Sequence, residues 1–209
     1  MFTTRRGILW LFGATAIWLL TGPALADPAA GSVVGLQGQC LVDRQGHPTP
    51  LKLGDQVAVS DKIEVPADGK LKLRMSDGSV ISLASGTQVT LAAYQTDASG
   101  QRQNAQLSLA QGLLRAVVSP VDHPSTFEVS TAVGTAAVRS TDWFIEAKPG
   151  SAQVGVLTGS VVLSSAATKQ SVAIPARWGA RLEAGRDPVE ARVWAPQEFQ
   201  AVISRTDVP

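Results

Sequence analysis

The chain has 209 residues, with 18 Lys+Arg against 17 Asp+Glu and a net charge of +1. Such a balanced charge excludes the strongly basic surface by which proteins attract nucleic acid or anionic lipid. The length is that of one domain. Cys40 is the single cysteine, which excludes a disulfide framework within the chain. Its apolar neighbours predict a small buried hydrophobic side chain.

The first 26 residues have the pattern of an export signal. Arg5 and Arg6 precede an apolar run of about 14 residues, shorter than the roughly 20 that a membrane-spanning helix needs. Ala24-Leu25-Ala26 is a small-x-small cleavage site before Asp27. We therefore expect cleavage after Ala26, a periplasmic location and no membrane insertion of the mature chain.

The two arginines leave two export routes open. Thr3-Thr4-Arg5-Arg6-Gly7-Ile8-Leu9 resembles the twin-arginine motif, in which two arginines precede an apolar pair. In an ordinary secretory signal the same two residues would only supply the positively charged start. We favour the twin-arginine route, which carries proteins that are already folded.

Between Gly31 and about Ala184 the chain is a series of short strand patterns. The clearest is Lys70–Met75, in which polar and apolar residues alternate strictly. Alternation with a period of two predicts a strand with one buried and one solvated face. The two leucines and Met75 are therefore predicted to face the core, and the two lysines and Arg74 to face solvent.

Turn residues separate these strand patterns. Ser76-Asp77-Gly78-Ser79 is a tight-turn signal that predicts a hairpin with the strand starting at Val80. Glycines such as Gly54, Gly86 and Gly112 punctuate the chain, and the strands recur about every 8–12 residues. This spacing predicts an all-β fold of short antiparallel strands in two packed, twisted sheets, either a sandwich or solenoid-like.

The chain after residue 183 is predicted to be a polar connection followed by one short helix. Pro196 suits a first helical turn, and Phe199, Val202 and Ile203 fall on one face of a helix over residues 196–203. We therefore divide the chain into an export signal (1–26), a β domain (27–183) and a C-terminal connection with its helix (184–209). Within the β domain, residues 97–103 are predicted to form a polar, mobile loop.

The polar side chains do not form a pattern typical of catalysis. His47 and His123 each lie beside a proline and lack a second histidine or a cysteine at metal-ligand spacing. There is no nucleophile-elbow or phosphate-loop motif. Aspartate in a turn bonds local backbone amides, which we favour here over a calcium loop or a catalytic carboxylate pair. The aspartates in such turns are Asp55, Asp61, Asp68 and Asp77. We expect a protein that is not an enzyme and uses no cofactor or metal.

Two consecutive aromatic residues, Trp143 and Phe144, lie in one predicted strand. Neighbouring strand residues point to opposite faces of a sheet, so one of the two rings meets solvent unless both faces are covered. One interpretation is a central, covered strand, because large apolar residues belong to cores. The other is a contact with a partner protein or a glycan, because exposed tryptophan is enriched at binding sites.

Taken in order, several motifs resemble those of the FecR domain family. They are the Leu-x-x-Gly-Asp unit at 51–55, the strand ending in Asp-Gly-Ser at 71–79, Phe127–Thr131, Val138–Phe144 and Val154–Val162. The similarity covers about residues 31–183 and implies strands wound into a twisted, solenoid-like pair of sheets.

The chain departs from the family pattern in two places. Ser140 stands where the family has glycine, which leaves a positive-φ turn at this position open. Only a few residues precede the apolar run. The resemblance therefore implies a periplasmic sensor-like domain without the family's cytoplasmic sigma-factor-binding segment.

The expected function is non-catalytic contact with another envelope protein. A rigid β-body can offer an exposed edge strand or a loop face to a partner. Arginine and tryptophan dominate interface energetics, so we predict one contact segment that contains both. Its contact residues are Arg139, Thr141, Trp143 and Phe144. The alternative is a peptidoglycan or carbohydrate-binding module, with a glycan stacked on one of three tryptophans: Trp143, Trp178 or Trp194.

Overall fold

The structure, a computed structural model, describes residues 29–208. The predicted export signal, with its cleavage site after Ala26, lies outside the described residues. The described part contains 17 strands and a C-terminal helix. In chain order the elements are β1 (Ala29–Gln37), β2 (Leu41–Arg44), β3 (His47–Pro50), β4 (Gln56–Ala58), β5 (Lys62–Glu64), β6 (Lys70–Met75), β7 (Val80–Leu83), β8 (Gln88–Thr96), β9 (Arg102–Val117), β10 (Thr126–Ser130), β11 (Gly134–Val138), β12 (Asp142–Lys148), β13 (Ser151–Thr158), β14 (Ser160–Ser165), β15 (Ser171–Pro175), β16 (Trp178–Glu183), β17 (Arg192–Val193) and α1 (Pro196–Thr206).

The strands form two hydrogen-bonded sheets that share one strand. Sheet A has the order β4-β1-β6-β7-β9-β12-β13-β16-β17. Sheet B has the order β3-β2-β5-β8-β9-β10-β11-β14-β15. The 16-residue β9 belongs to both sheets, and its pairing with β10 is parallel while the other described pairings are antiparallel. The predicted all-β class, in two packed sheets with a short C-terminal helix, is confirmed.

Strand β9 passes from sheet B to sheet A at Gly112. Residues 102–111 pair with β8, and residues 112–117 pair with β12. Gly112 has φ +97°, and a Cβ atom there would lie 2.4 Å from the Cα of Thr87. Glycine is therefore required both for the backbone conformation and for the close approach. The prediction that Gly112 separates two strands is wrong, because the ladder continues through this bend.

One apolar core lies between the two sheets and draws side chains from both. In β6, Leu71, Leu73 and Met75 are at most 2% exposed, which confirms the predicted alternation of this strand. The predicted hairpin is also confirmed, because β6 pairs with β7. Cys40 is fully buried, as predicted. Burial, reinforced by the charge of Asp68, raises the pKa of its thiol to about 11.

The helix α1 packs on the outer face of sheet A. Phe199 and Val202 on its buried side belong to a second apolar cluster with Phe144 and Trp194, and the rings of Phe199 and Trp194 are 5.5 Å apart. The predicted helix and its apolar face are confirmed, and the helix extends to Thr206. Among residues 29–208, no helix combines the length and the apolar character needed to cross a membrane.

The lysines of β6 contact the end of this helix. Lys70 Nζ donates to the carbonyl of Asp207 at 2.9 Å, and Lys72 Nζ donates to the carbonyl of Val208 at 2.6 Å. Both lysines are half-buried, whereas Arg74 on the same face is exposed. The prediction that both lysines face solvent is therefore wrong, because the C-terminal segment covers this part of the sheet.

Candidate interaction surface

The side chains that could carry chemistry are dispersed in the structure. His47 lies in the exposed strand β3, and His123 lies in a loop with its Nε2 atom 3.6 Å from a carboxylate oxygen of Asp97. Within residues 29–208, no group of three His, Cys, Asp or Glu side chains is placed to hold a metal ion. The two histidines therefore lie in separate parts of the described structure.

Three of the four turn aspartates, Asp55, Asp61 and Asp77, bond backbone amides, as turn chemistry predicts, whereas the Asp68 side chain has no hydrogen bond among residues 29–208. Asp55 accepts from the amide of Lys52 at 2.8 Å, and Asp61 accepts from the amide of Ala58 at 2.9 Å. These side chains fix turns and do not converge on a shared site.

Asp77 has a second role that the sequence did not indicate. Its carboxylate accepts from the amide of Ser79 at 2.9 Å, from the hydroxyl of Tyr94 at 2.6 Å and from the guanidinium of Arg102. The guanidinium also lies over the ring of Phe127, with a distance of 5.4 Å to the ring centroid. Arg102 was predicted to lie in a mobile polar loop, and that prediction is wrong. It starts β9 and is fully buried.

Of the four predicted contact residues, three are buried and one is exposed. Trp143 is 0% exposed in the main core, and Phe144 is 1% exposed under α1. Both faces of β12 are covered, because the main core lies on the side of Trp143 and the helix α1 packs on the side of Phe144. The structure therefore agrees with the interpretation of a central, covered strand. The prediction that these two rings contact a partner at the surface is wrong.

The other two residues of the segment differ from each other. Thr141 is 2% exposed, and its hydroxyl donates to the carbonyls of Arg139 at 2.9 Å and Ser160 at 3.1 Å. Arg139 is exposed and follows β11. Ser140 has φ +50°, so the positive-φ turn is present although the residue is serine. Arg139 is thus the one predicted contact residue whose side chain reaches solvent.

The tryptophans proposed as sugar platforms are largely covered. Trp143 is fully buried, and Trp194 is 6% exposed because it packs on Gly179, where a Cβ atom would lie 2.2 Å from the indole. Trp178 is half-buried against the main core. A sugar ring stacks on an open aromatic face, which the first two lack. The structure gives little support to a glycan platform.

The exposed feature that the fold presents most clearly is its strand edges. The described part of sheet A ends at β4 and β17, and that of sheet B ends at β3 and β15. An edge strand carries unpaired N–H and C=O groups that can pair with another chain, and proteins usually block such edges. The four edges differ in how many of these groups are free.

Prolines block the edge at β3. The amide of Leu51 donates to the carbonyl of Cys40 at 2.9 Å, and Val42 is opposite Thr49 in the β2–β3 register. Because backbone groups alternate in direction along an antiparallel pair, those of Pro48 and Pro50 face away from β2. Proline has no N–H, so β3 offers no outward donor at either position.

Side chains and short length close the two edges of sheet A. The carbonyl of Gln56 in β4 accepts from the guanidinium of Arg44 at 2.7 Å. The amide of Ala58 donates to the carboxylate of Asp61 at 2.9 Å, and its carbonyl accepts from the Asp61 amide at 3.2 Å. At the other end, β17 consists only of Arg192–Val193, too short to template another strand.

The edge at β15 has neither side-chain caps nor a two-residue length, and its one proline, Pro175, lies at the last position of the strand. The amide of Ser165 donates to the carbonyl of Gln170 at 2.9 Å, and Val172 and Ile174 lie opposite alternate residues of β14 in the same register. The groups of Val172 and Ile174 therefore point to β14, and those of Ser171, Ala173 and Pro175 point outward. The other side of β14 agrees, because the amide of Ala166, directly after β14, donates to the carbonyl of Val133, directly before β11, at 2.9 Å.

The outward groups of β15 are free in the described part of the chain. Neither the amide nor the carbonyl of Ser171 or Ala173 has a partner among residues 29–208, and both side chains are exposed. No charged residue lies between Lys169 and Arg177. The strand pattern Val172-Ala173-Ile174 predicted a strand here, but an edge is a property of the topology, which the local sequence does not contain.

Two packed sheets that share one bent strand define an all-β sandwich module, and its open edge defines the candidate site. Residues 61–162 match the family described as FecR protein. This part of the chain is therefore a FecR domain, and the resemblance found in the sequence is confirmed.

Two solved structures have the same fold. Both are of a candidate anti-sigma factor from Parabacteroides distasonis ATCC 8503, at 2.50 and 1.65 Å resolution, and each matches with a TM-score of 0.56 and 16% sequence identity. The match covers 67% of this chain but only 62% and 63% of those chains. This chain thus spans less than two thirds of their length, and identity this low shows the fold alone. No curated protein matches the chain.

Proposed function

We propose that this FecR-domain protein is a non-catalytic interaction and sensory module of the periplasm, which receives an extended segment of another envelope protein along β15. The observation that carries the proposal is the contrast between the edges. Proline, side-chain caps or short length close β3, β4 and β17, while the outward amides and carbonyls of Ser171 and Ala173 in β15 stay open. Edge blocking is widespread in natural sheets, so an edge left open is the natural place for strand addition.

The backbone of β15 fits this mode of binding without rearrangement. Ser171 and Ala173 present donors, and Ser171, Ala173 and Pro175 present acceptors, in the alternating order that an added strand pairs with. Side chains of the added strand that point inward would lie beside Val172 and Ile174, so we expect them to be apolar. Those that point outward would lie beside Ser171 and Ala173 and meet solvent.

The comparisons and the sequence support the same setting. Membership of the FecR family and the likeness in fold to a candidate anti-sigma factor support a regulatory or sensory role. The pattern of the first 26 residues supports export to the envelope. The burial of Trp143 and Trp194 weakens the alternative of a peptidoglycan or carbohydrate-binding module.

The proposal is tested by blocking the edge without changing the fold. Ala173→Pro removes one outward N–H, as Pro48 and Pro50 do at β3, and leaves the β14–β15 ladder intact. Ala173→Thr is the matched control, because it keeps the amide and favours a strand. Each tagged variant is expressed in the native envelope, partners are identified by mass spectrometry, and binding is repeated with the purified partner. Partner capture should be lost in the proline variant and kept in the threonine variant, while thermal unfolding shows both to be folded.

Equal capture by both folded variants would remove β15 from the proposal. Location is measured separately, by N-terminal sequencing of the protein from the periplasmic fraction, which should begin at Asp27. Replacing Arg5 and Arg6 by lysine should block export if the twin-arginine route is used. Recovery of the protein only from the cytoplasm in its unprocessed form would contradict the proposed location.

A further inference from the structure

We infer that, when no other partner is bound, the open edge of β15 is occupied by β15 of a second copy, with Ala173 on the two-fold axis. The inference rests on the proposed function, because the same edge would receive either strand. Two copies would then join their B sheets into one continuous sheet. The outer face of one copy would continue the outer face of the other.

The outward groups of β15 complement themselves in this arrangement. With Ala173 opposite Ala173 of the second copy, the two residues exchange two hydrogen bonds, as directly opposed residues do in an antiparallel pair. Ser171 then lies opposite Pro175 of the second copy, and its amide donates to that proline's carbonyl. Each of the four outward N–H groups in the pair gains an acceptor, and the missing N–H of Pro175 leaves no donor unpaired.

The side chains favour this register over its neighbour. With Ala173 on the axis, half-buried Val172 lies beside buried Ile174 of the second copy, an apolar pair on the inner face. A shift that puts Val172 on the axis makes the same number of hydrogen bonds. It also places Gln170 beside Ile174, a polar side chain against an apolar one, while each register leaves one outward carbonyl per copy without a donor.

The charges that flank the strand are turned away from the edge. Lys169 Nζ donates to the carbonyl of Ala166 at 2.7 Å, within its own turn. Arg177 lines a pocket beside α1 with Pro196 and Phe199, on the sheet A side of the molecule. Edge strands that avoid pairing carry inward-pointing charges, a lysine on the strand itself or proline. β15 has no charge between these two residues, and its one proline, Pro175, lies at the last position of the strand.

The register is tested by disulfide cross-linking of the exported form. In the proposed pair the two Ala173 Cα atoms lie about 5.5 Å apart, within the range that a disulfide bridges. The two Ser171 Cα atoms are displaced by four residues, about 14 Å along the strands, well beyond the bridging limit of roughly 7 Å. Ala173→Cys should therefore form a covalent dimer under mild oxidation, and Ser171→Cys should not. The unaltered chain is the control for Cys40, whose thiol is buried.

Light scattering measures the association itself. The pairing is small, so the unaltered protein is measured at up to about 0.5 mM, where we expect a concentration-dependent dimer. Ala173→Pro should be monomeric and folded, and Ala173→Thr should dimerise. A monomer at all concentrations, a dimer that survives the proline substitution, or cross-linking of Ser171→Cys as readily as of Ala173→Cys would overturn the inference. A monomer that still captures an envelope protein through β15 would overturn only the inference and keep the proposed function.

Discussion

The carboxylate of Asp77 and the guanidinium of Arg102 form an ion pair from which solvent is excluded, with 0% and 1% of the two side chains exposed. The pair ties the β6–β7 turn to the start of β9. Ser79 reinforces it, because its hydroxyl donates to the Asp77 carboxylate at 2.8 Å and accepts from the amide of Ser119 at 3.0 Å. Charges removed from water in this way are stable only as a pair.

Removing one member of the pair should therefore destabilise the protein strongly. Asp77→Ala leaves the Arg102 charge buried without its partner, and we expect a loss of about 3–5 kcal/mol in the free energy of unfolding. Asp55→Ala is the control, since Asp55 caps a turn at the surface and should cost only about 1 kcal/mol. Urea denaturation measures both. Asp77→Leu combined with Arg102→Met should regain part of the loss; equal losses for Asp77→Ala and Asp55→Ala would contradict the role of the pair.

Tyr94 should make the protein less stable in alkaline solution. Burial, then the charge of Asp77, raises the pKa of its hydroxyl far above the ordinary value of 10.0. Tyr94 thus stays protonated in the folded state but ionises in the unfolded state once the pH exceeds 10.0. The unfolded state then binds fewer protons, so stability is retained below this pH and falls above it, by about 1.4 kcal/mol per pH unit.

Tyr94→Phe separates this effect from other alkaline titrations. The variant loses the hydrogen bond to Asp77, which lowers its stability at neutral pH by about 1–3 kcal/mol. Its stability should nevertheless fall less steeply than that of the unaltered protein above about pH 10. Tyr94 is the only tyrosine in the chain, so tyrosinate absorbance follows its ionisation directly. Appearance of tyrosinate in the folded protein at its ordinary pKa would show that the site is open to water.

Lys72 should matter more than its polar position in an alternating strand indicates. Its ammonium donates to the carbonyl of Val208 at 2.6 Å, so Lys72→Ala should cost about 0.5–1.5 kcal/mol. Arg74→Ala is the matched control on the same face of β6, where the side chain is exposed, and should change stability by at most about 0.5 kcal/mol. Leu73→Ala, on the buried face, should cost about 2–5 kcal/mol. Equal effects of the lysine and arginine substitutions would mean that the C-terminal contact adds no stability.

Ser140→Gly should stabilise the protein. Ser140 has φ +50°, a left-handed conformation that costs a residue with a Cβ atom about 1–2 kcal/mol. Glycine adopts it freely but has more conformational entropy in the unfolded chain, so the net gain should be about 0.5–1 kcal/mol. Ser151→Gly, within β13, lacks this benefit and should lower stability by about 0.5–1 kcal/mol. Thermal unfolding distinguishes the two, and a destabilised Ser140→Gly would show that the serine side chain itself supports the turn.

Local patterns were sufficient to predict the elements whose signals are local. Alternation in Lys70–Met75 and the turn after it predicted the β6–β7 hairpin, and the spacing of Phe199 and Val202 predicted α1. The prediction of a strand end at Gly112 was wrong because a positive-φ glycine marks a sharp change of direction whether the strand ends or only bends. The local sequence around such a glycine does not distinguish a strand end from a bend.

The remaining errors concern contacts between distant residues. The local sequence places Arg102 in a polar loop, because its buried partner, Asp77, is 25 residues away in sequence. Phe144 could be assigned to surface or core only once α1 was known to cover β12. The open edge of β15 follows from the order of strands in sheet B, which no local pattern specifies.

Because β9 is hydrogen-bonded in both sheets, neither sheet can open fully while the other stays folded. The molecule should thus unfold as one cooperative unit, and the central amides of β9 should exchange with solvent only through global unfolding. A strand bound at β15 stabilises the folded state by mass action. This added stability should slow hydrogen exchange at every amide that exchanges only through global unfolding. These amides include those in β12 beneath α1, at the opposite side of the sandwich. Slower hydrogen exchange there would report occupancy of a site that those amides never touch.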